Sequence, residues 1–488
     1  MHTYLGIDIG TSEVKALLLN DQHQAIATAG STLEVSRPHP GHSEQDPASW
    51  WTATCIALQK LQQQHPAEYA AVQAIGLSGQ MHGAVVLGAQ LEVLRPAILW
   101  NDGRSGAQCL ALEQRAPQSR QITGNLAMPG FTAPKMLWLA ENEPDAFKAT
   151  TKVLLPKDWL RLKLTGDCVS EMSDASGTLW LDVGQRCWSE PMLAACGLNL
   201  SHMPSLVEGS QPSGIVLPAL AKAWGLPDGV MVAGGGGDNA ASAVGIGAAR
   251  PGQGFVSLGT SGVVFLVSDT YKPAPELAVH AFAHALPGRW HQMSVMLSAA
   301  SAFGWITQLT GSTDEAQLAE RVSDLAPERR AAAPVFLPYL SGERTPHNNP
   351  DASGVFIGLR SEHTAADLGY AVMEGVTFGL MDGLRAMGQT EASQIPLALV
   401  GGGARSDAWA QLLASGLGCP LQRSENAHAA AALGAARLAW LADEGSEEEV
   451  CRPLPISQEF VPDDVIRETL CQRYSRYRSL YPALTNFF

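Results

Sequence analysis

Several things that this 488-residue chain does not contain narrow it before any motif is read. Its eight cysteines are scattered, with no Cys-x-x-Cys pair and no His/Cys grouping at zinc-ligand spacing. That leaves out a structural zinc site and a dithiol redox motif, and unpaired thiols in a chain this large point to a reducing cytoplasm. Positive charge is scarce: 32 Lys and Arg stand against 47 Asp and Glu, a net charge of −15. Neither nucleic acid nor an anionic membrane surface is the expected partner of so acidic a chain. No apolar run reaches the length of a membrane span, and Met1-His2-Thr3-Tyr4 opens without the basic region and apolar core of a signal peptide. Also absent are a Walker loop, a protein-kinase glycine-rich loop and the G-x-G-x-x-G fingerprint. Phosphate ligands stay open nonetheless, because backbone amides and a bound cation can hold them locally.

What is present is an α/β pattern long enough for two cores. Hydrophobic residues make up 46% and charged residues 16%, which suits a globular protein of two large domains. Residues 7–14 read Ile-Asp-Ile-Gly-Thr-Ser-Glu-Val, and residues 256–263 read Val-Ser-Leu-Gly-Thr-Ser-Gly-Val. Each predicts a β-hairpin turning at Gly-Thr-Ser, and the pair suggests a duplicated unit. The Gly- and Pro-rich stretch from Gly245 to Gly252 marks a boundary, giving domains at 1–247 and 248–488. Strands are expected at Val72 to Ser78 and Leu397 to Val400, and a helix from about Ser406. Asp46-Pro47 has the chemistry of a helix start, with Trp51, Cys55 and Leu58 on one face of the helix. Ala429 to Ala436 carries the small residues of a closely packed helix, and Leu470, Tyr474, Tyr477 and Tyr481 recur at helical spacing in a tail expected to pack on the body.

Polar groups beside glycines at predicted strand ends are the candidates for chemistry, because open α/β sheets bind ligands there. Asp238 follows the run Gly234-Gly235-Gly236-Gly237 and precedes Asn239. A carboxylate on so tight a turn, next to a cavity, suits a base for an attacking hydroxyl. Asp8 is an acid inside an apolar strand, followed by Gly10-Thr11-Ser12. It reads either as the acceptor that closes the turn or as the partner of a cation near phosphates. The second hairpin keeps Gly259-Thr260-Ser261 but has Ser257 where the first has Asp8. Gly401-Gly402-Gly403, between a strand and the helix expected from about Ser406, would let a flat ring lie against the backbone. Gln80-Met81-His82-Gly83 offers donors and acceptors for sugar hydroxyls, though a lone histidine is more often structural.

Together these segments resemble the FGGY carbohydrate kinases, a branch of the actin, sugar kinase and heat-shock ATPase superfamily. Phe131-Thr132-Ala133-Pro134-Lys135-Met136-Leu137-Trp138 looks like the family's first signature, and Gly354 to Gly375 like its second. Within the family, Gln80 to Gly83, Ile98 to Arg104 and Ser341 to His347 are similar to the branch acting on D-xylulose. The Arg-Glu pair of glycerol kinases is absent, with Met81-His82 in its place. The resemblance implies two ribonuclease H-like domains with a cleft between them, and transfer of a phosphoryl group from ATP, with Mg²⁺, to the sugar. It matches Asp238 to the catalytic base and Asp8 to the acid associated with Mg²⁺ and phosphates. Met81 (through its backbone), His82, Asp238 and Asn239 match sugar-binding positions. Gly10, Thr11, Ser12, Gly259, Thr260, Ser261, Gly402, Gly403 and Asp407 are the expected nucleotide contacts. Two departures stand out: Asp407 replaces a common Asn, and Ala300 lies near a glycine found in glycerol kinases. A homodimer through the second domain is compatible with the resemblance. Open alternatives are another ketopentose or polyol as acceptor (ribulose, deoxy-xylulose, glycerol), or a nucleotide-gated binding protein of the actin type.

Overall fold

The computed structural model describes residues 2–389, 394–425 and 429–488. Two seven-stranded mixed sheets, one in each half, form its frame. The first is built from β1 (Thr3–Ile9), β2 (Glu13–Asn20), β3 (Ala25–Thr32), β4 (Val72–Gly79), β5 (Pro212–Ile215), β6 (Met231–Ala233) and the short β7 (Gly236–Gly237). Its order is β5-β6-β4-β1-β2-β3, with β7 pairing β4. The second contains β8 (Gly254–Leu258), β9 (Gly262–Ser268), β10 (His280–Ala283), β11 (Trp290–Met296), β12 (Leu397–Val400), β13 (Leu421–Ser424) and β14 (Ile456–Phe460), in the order β10-β11-β9-β8-β12-β13-β14.

The two sheets repeat one plan. In each, a central strand pairs antiparallel with the next strand through a Gly-Thr-Ser turn and parallel with a later strand on its other side. The hairpin ends at Ile9↔Val14 in the first half and Leu258↔Gly262 in the second, so the short sequence repeat marks a repeat of topology. The expected strands at 72 and 397 are present, and Ser406 caps a helix at Asp407–Leu417 by accepting a hydrogen bond from Trp409 N.

The face of the first helix that carries Trp51, Cys55 and Leu58 is only partly the buried one. Asp46 caps α1 (Pro47–Gln64), but the inward face runs through Trp50, Ala53, Ala57 and Leu61 together with Leu58. Trp51 and Cys55 are only half-buried, and Trp51 packs against Trp224 instead, with ring centroids 5.3 Å apart. Two adjacent tryptophans left the face ambiguous; Trp50 takes the core because its Nε1 finds Gln45 Oε1 there, 3.0 Å away.

The halves are joined by more than a linker. Helix α5 (Asp238–Ile246) belongs to the first half, and α8 (Ala430–Ala442), far along the chain, packs on α5, β1 and β4. The approach is backbone to backbone: a Cβ at Gly76 would lie 1.7 Å from Ala435 O, and one at Gly434 1.7 Å from Ala241 O. Close packing was thus the purpose of the alanine-rich stretch. At another edge, β10 is held by side chains of the first half. Asn125 brackets Ala281, donating to its O (3.0 Å) and accepting from its N (3.2 Å), and Ser176 Oγ accepts from Ala283 N (3.0 Å). The tail helix α9 (Asp464–Leu484) packs on the second half through Leu470, Tyr474 and Tyr477. Among the described residues, no helix is long and apolar enough to cross a membrane.

Candidate active site

Three neighbouring strands align the acids. Asp8 on β1 and Gly236 on β7 both pair with Ser78 on β4, so they flank it at the carboxyl ends of parallel strands. The chain leaves β7 at Gly237 and enters α5 at Asp238. Asp238 Oδ1 accepts from Asn239 N (2.7 Å) and Asn239 Nδ2 (2.9 Å), leaving Oδ2 without a protein partner among the described residues. Burial, and then the charge of Asp8, push its pKa up to about 6. Burial also raises that of Asp8, whose Oδ1 lacks a hydrogen-bond partner, as does Ser78 Oγ. Both carboxylates are enclosed by protein yet keep some exposed surface, as groups at the floor of a cleft do. Mg²⁺ is usually held by one or two carboxylates together with phosphate oxygens and waters, and the unpartnered Asp8 Oδ1, with Asp238 Oδ2 nearby, fits that donor set.

A buried charge cluster that sequence reasoning missed supports this floor. Lys157 and Arg161 lie on α3 (Pro156–Thr165), fully buried with Asp158, Glu171 and Asp174. Lys157 Nζ is 2.7 Å from Asp158, 3.1 Å from Asp174 and 3.3 Å from Glu171. Arg161 donates to Ala233 O (2.6 Å), Gly234 O (2.5 Å) and Ser213 Oγ. Ser173 Oγ donates to Glu171 and accepts from Gly237 N at 3.0 Å. The cluster thereby grips both ends of the glycine run. Burial holds the pKa of Asp174 well up, and its protonation would leave two cations against two carboxylates. Within the run, Gly235 has φ +78° and its Cβ would fall 2.1 Å from Leu77 O, while a Cβ at Gly237 would strike Met81 Sδ at 2.8 Å.

The sugar-side candidates converge beside the acids. Met81 is buried against Gly237, and its N–H makes no hydrogen bond among the described residues. The His82 ring packs on Phe131 (4.8 Å between centroids), and its Nδ1 lies 2.7 Å from Gly177 O. A carbonyl only accepts, so Nδ1 carries the proton and Nε2 presents a lone pair. Burial, with the charges of Lys135 and Arg344 adding to it, lowers the His82 pKa to about 3, so the ring is neutral at physiological pH. Arg344 comes from the second half, with Nη1 3.4 Å from His280 Nε2. On the first hairpin, Thr11 Oγ1 receives Trp100 Nε1 (2.9 Å), and Gln45 and Gln80 brace the carbonyls of Thr11 and Gly10 from behind. Ser12 is exposed at the tip.

The expected nucleotide contacts of the second half gather elsewhere, around a cavity of about 890 Å³. Gly259, Thr260, Gly402, Gly403, Asp407 and Ala300 line it; Ser261 adjoins, and Gly10, Thr11 and Ser12 do not take part. The Gly259–Thr260 turn is fixed by Ala300 N and Ala299 N, which donate to its two carbonyls at 2.8 and 2.9 Å. A Cβ at Gly402 would meet nothing within 4 Å, so that glycine faces open space. Asp407 is tied by its carboxylate to Arg423 Nη2 (2.7 Å) and Gln458 Nε2 (3.2 Å), at the rim.

Two family models cover most of the chain: the N-terminal domain of the FGGY family of carbohydrate kinases matches residues 3–245, and its C-terminal domain residues 254–442. The chain belongs to the FGGY carbohydrate kinases. Its two sheets are accordingly the paired domains of the sugar kinase branch of the actin and heat-shock ATPase fold. Among FGGY kinases, the xylulose kinase of Escherichia coli (strain K12) is 52% identical over 478 residues, covering 97% of this chain and 96% of that protein. The xylulose kinase of Klebsiella pneumoniae is 52% identical over 466 residues, covering 94% and 95%. A solved structure described as a xyloylose kinase from Brucella ovis superposes with a TM-score of 0.96 at 48% identity, covering 100% of both chains.

Proposed function

We propose that this FGGY kinase transfers the γ-phosphoryl group of MgATP to the terminal hydroxyl of D-xylulose, giving D-xylulose 5-phosphate and ADP. The observation that carries this reading is Asp238: a carboxylate with one oxygen free and a pKa raised to about 6, in a chain 52% identical to xylulose kinases. A base with a pKa near the working pH is ionised in most molecules yet can still take a proton. Asp238 Oδ2 would accept the proton of the attacking hydroxyl, while Asn239 holds Oδ1 and so fixes the direction of the other oxygen. Phosphoryl transfer has a loose transition state, so placement and charge neutralisation contribute more than base strength.

The proposed sugar pocket has the Met81 N–H as donor and His82 Nε2 as acceptor, with Asn239 alongside. The nucleotide would occupy the 890 Å³ cavity, its ring against Gly402-Gly403 and its phosphates toward Gly259-Thr260. Asp8, with the Gly10-Thr11-Ser12 turn, would face the γ-phosphate and hold the cation, whose contribution is neutralisation of phosphate charge. This assigns the base and sugar to a first domain of residues 1–247 and the nucleotide to a second of 248–488. Asp407 would act on the nucleotide indirectly, by bracing the cavity rim through Arg423.

A coupled ADP-release assay over D-xylulose, L-xylulose, D-ribulose, L-ribulose and glycerol tests the substrate. D-xylulose is expected to give the largest kcat/KM, and a preference for any other acceptor overturns that part. Asp238→Ala is expected to lose at least about a thousandfold in kcat while still binding ATP. Near-normal turnover would remove Asp238 from the mechanism.

A further inference from the structure

The first signature segment has no role in the chemistry above, yet it reaches the sugar side of the site at a single atom. Helix α2 (Thr132–Asn142) opens beside His82, and two of its side chains share the His82 carbonyl oxygen. Thr132 Oγ1 donates to it over 3.1 Å and Lys135 Nζ over 2.9 Å. Lys135 Nζ also donates to Gly130 O at 2.7 Å. The lysine has no accessible surface, and its two hydrogen bonds both go to carbonyls. A methionine would fill such a space without the cost of desolvating an amine, so the two hydrogen bonds are what lysine adds. Burial lowers its pKa to about 7, and in either protonation state the amine has the two N–H donors that these acceptors need.

His82 requires such a hold. Its φ is +68°, a left-handed conformation that a side chain with a Cβ rarely adopts. Both lone pairs of its carbonyl are occupied by Thr132 and Lys135, and its ring is fixed from the other side by Gly177 O. Gly177 itself leaves no slack, since a Cβ there would lie 2.6 Å from His82 Nδ1. The geometry points to Lys135, assisted by Thr132, as a positioning residue that holds His82 in its left-handed turn and aims Nε2 at the bound sugar. The inference rests on the proposed contact between His82 and the sugar.

A double-mutant cycle in the full-length enzyme, with D-xylulose and ATP varied in turn, separates the two. His82→Ala and Lys135→Met are each expected to raise the sugar KM about tenfold, with the ATP KM within about twofold of wild type. Lys135→Met made in the His82→Ala background is expected to add less than about twofold, because the lysine acts through a side chain already removed. If His82→Ala leaves the sugar KM unchanged, the contact and the inference both fall. If His82→Ala raises it but Lys135→Met does not, or the two effects multiply, the contact stands and the positioning role is overturned. Thr132→Val, which removes only a hydroxyl, repeats the cycle should Lys135→Met fail to fold. It is expected to show the same non-additivity with a smaller rise, and multiplicative effects there overturn the inference equally.

Discussion

At the scale of single residues, Asp238 combines a demand of chemistry with a cost to folding. An acid whose pKa is higher in the folded chain than in the unfolded one favours folding while protonated. Its contribution is therefore complete below about pH 4 and is lost as pH rises through about 6. Asp238→Asn is expected to raise thermal stability at pH 8, by up to about 3 kcal/mol, with the gain shrinking toward pH 4; denaturant titrations at the two pH values check it. In the wild type, kcat/KM is expected to fall about tenfold per pH unit below pH 6, as the base becomes protonated. Gly402 makes a complementary case, since its missing Cβ faces open cavity. Gly402→Ala is expected to leave stability within about 0.5 kcal/mol while raising the ATP KM, and an unchanged ATP KM would move the nucleotide off this turn. The candidate residues legible in the chain were those beside glycine: Asp8, Asp238 and the Gly402-Gly403 turn. Lys157, Arg161 and Ser173 were not, nor was any contact of Lys135 beyond its place in the signature, because the partners of buried polar side chains lie on other elements and spacing along the chain does not mark them.

At the scale of elements, the hairpins were legible because Gly-Thr-Ser between β-branched runs has few other solutions. The helix at 430 was legible as a closely packed one, but not the surface it packs on. Small residues announce a near approach without naming the partner. The inward face of α1 was set by a tertiary hydrogen bond to Gln45, which periodicity could not supply. That α8 meets the first sheet through bare backbone leads to a specific expectation. A methyl at Gly434 would sit 1.7 Å from Ala241 O, so Gly434→Ala is expected to cost about 3 kcal/mol or more and lower Tm sharply. A neutral effect would mean that the helix can slide.

At the scale of the whole molecule, the proposed function divides one reaction between the two halves. Asp8 lies on the first sheet and Asp238 on the helix that leaves it, while the 890 Å³ cavity is lined entirely by the second half, so under the proposed function transfer would need the halves to close on each other. The bracket of Asn125 and Ser176 on β10 fixes one edge, and motion is expected to pivot there. Sugar together with a non-hydrolysable ATP analogue is expected to reduce the radius of gyration in solution scattering; an unchanged radius would mean the halves already stand at their working distance. The late helix α8 has one more consequence, and it concerns synthesis. Tyr4, Leu17, Leu19 and Ala74 of the first sheet share a core with Ala432, Leu433, Ala436 and Trp440. A ribosome that has made the first 250 residues has therefore produced a sheet with one face uncovered. That face stays open to chaperones or to other nascent chains until nearly 200 further residues have emerged.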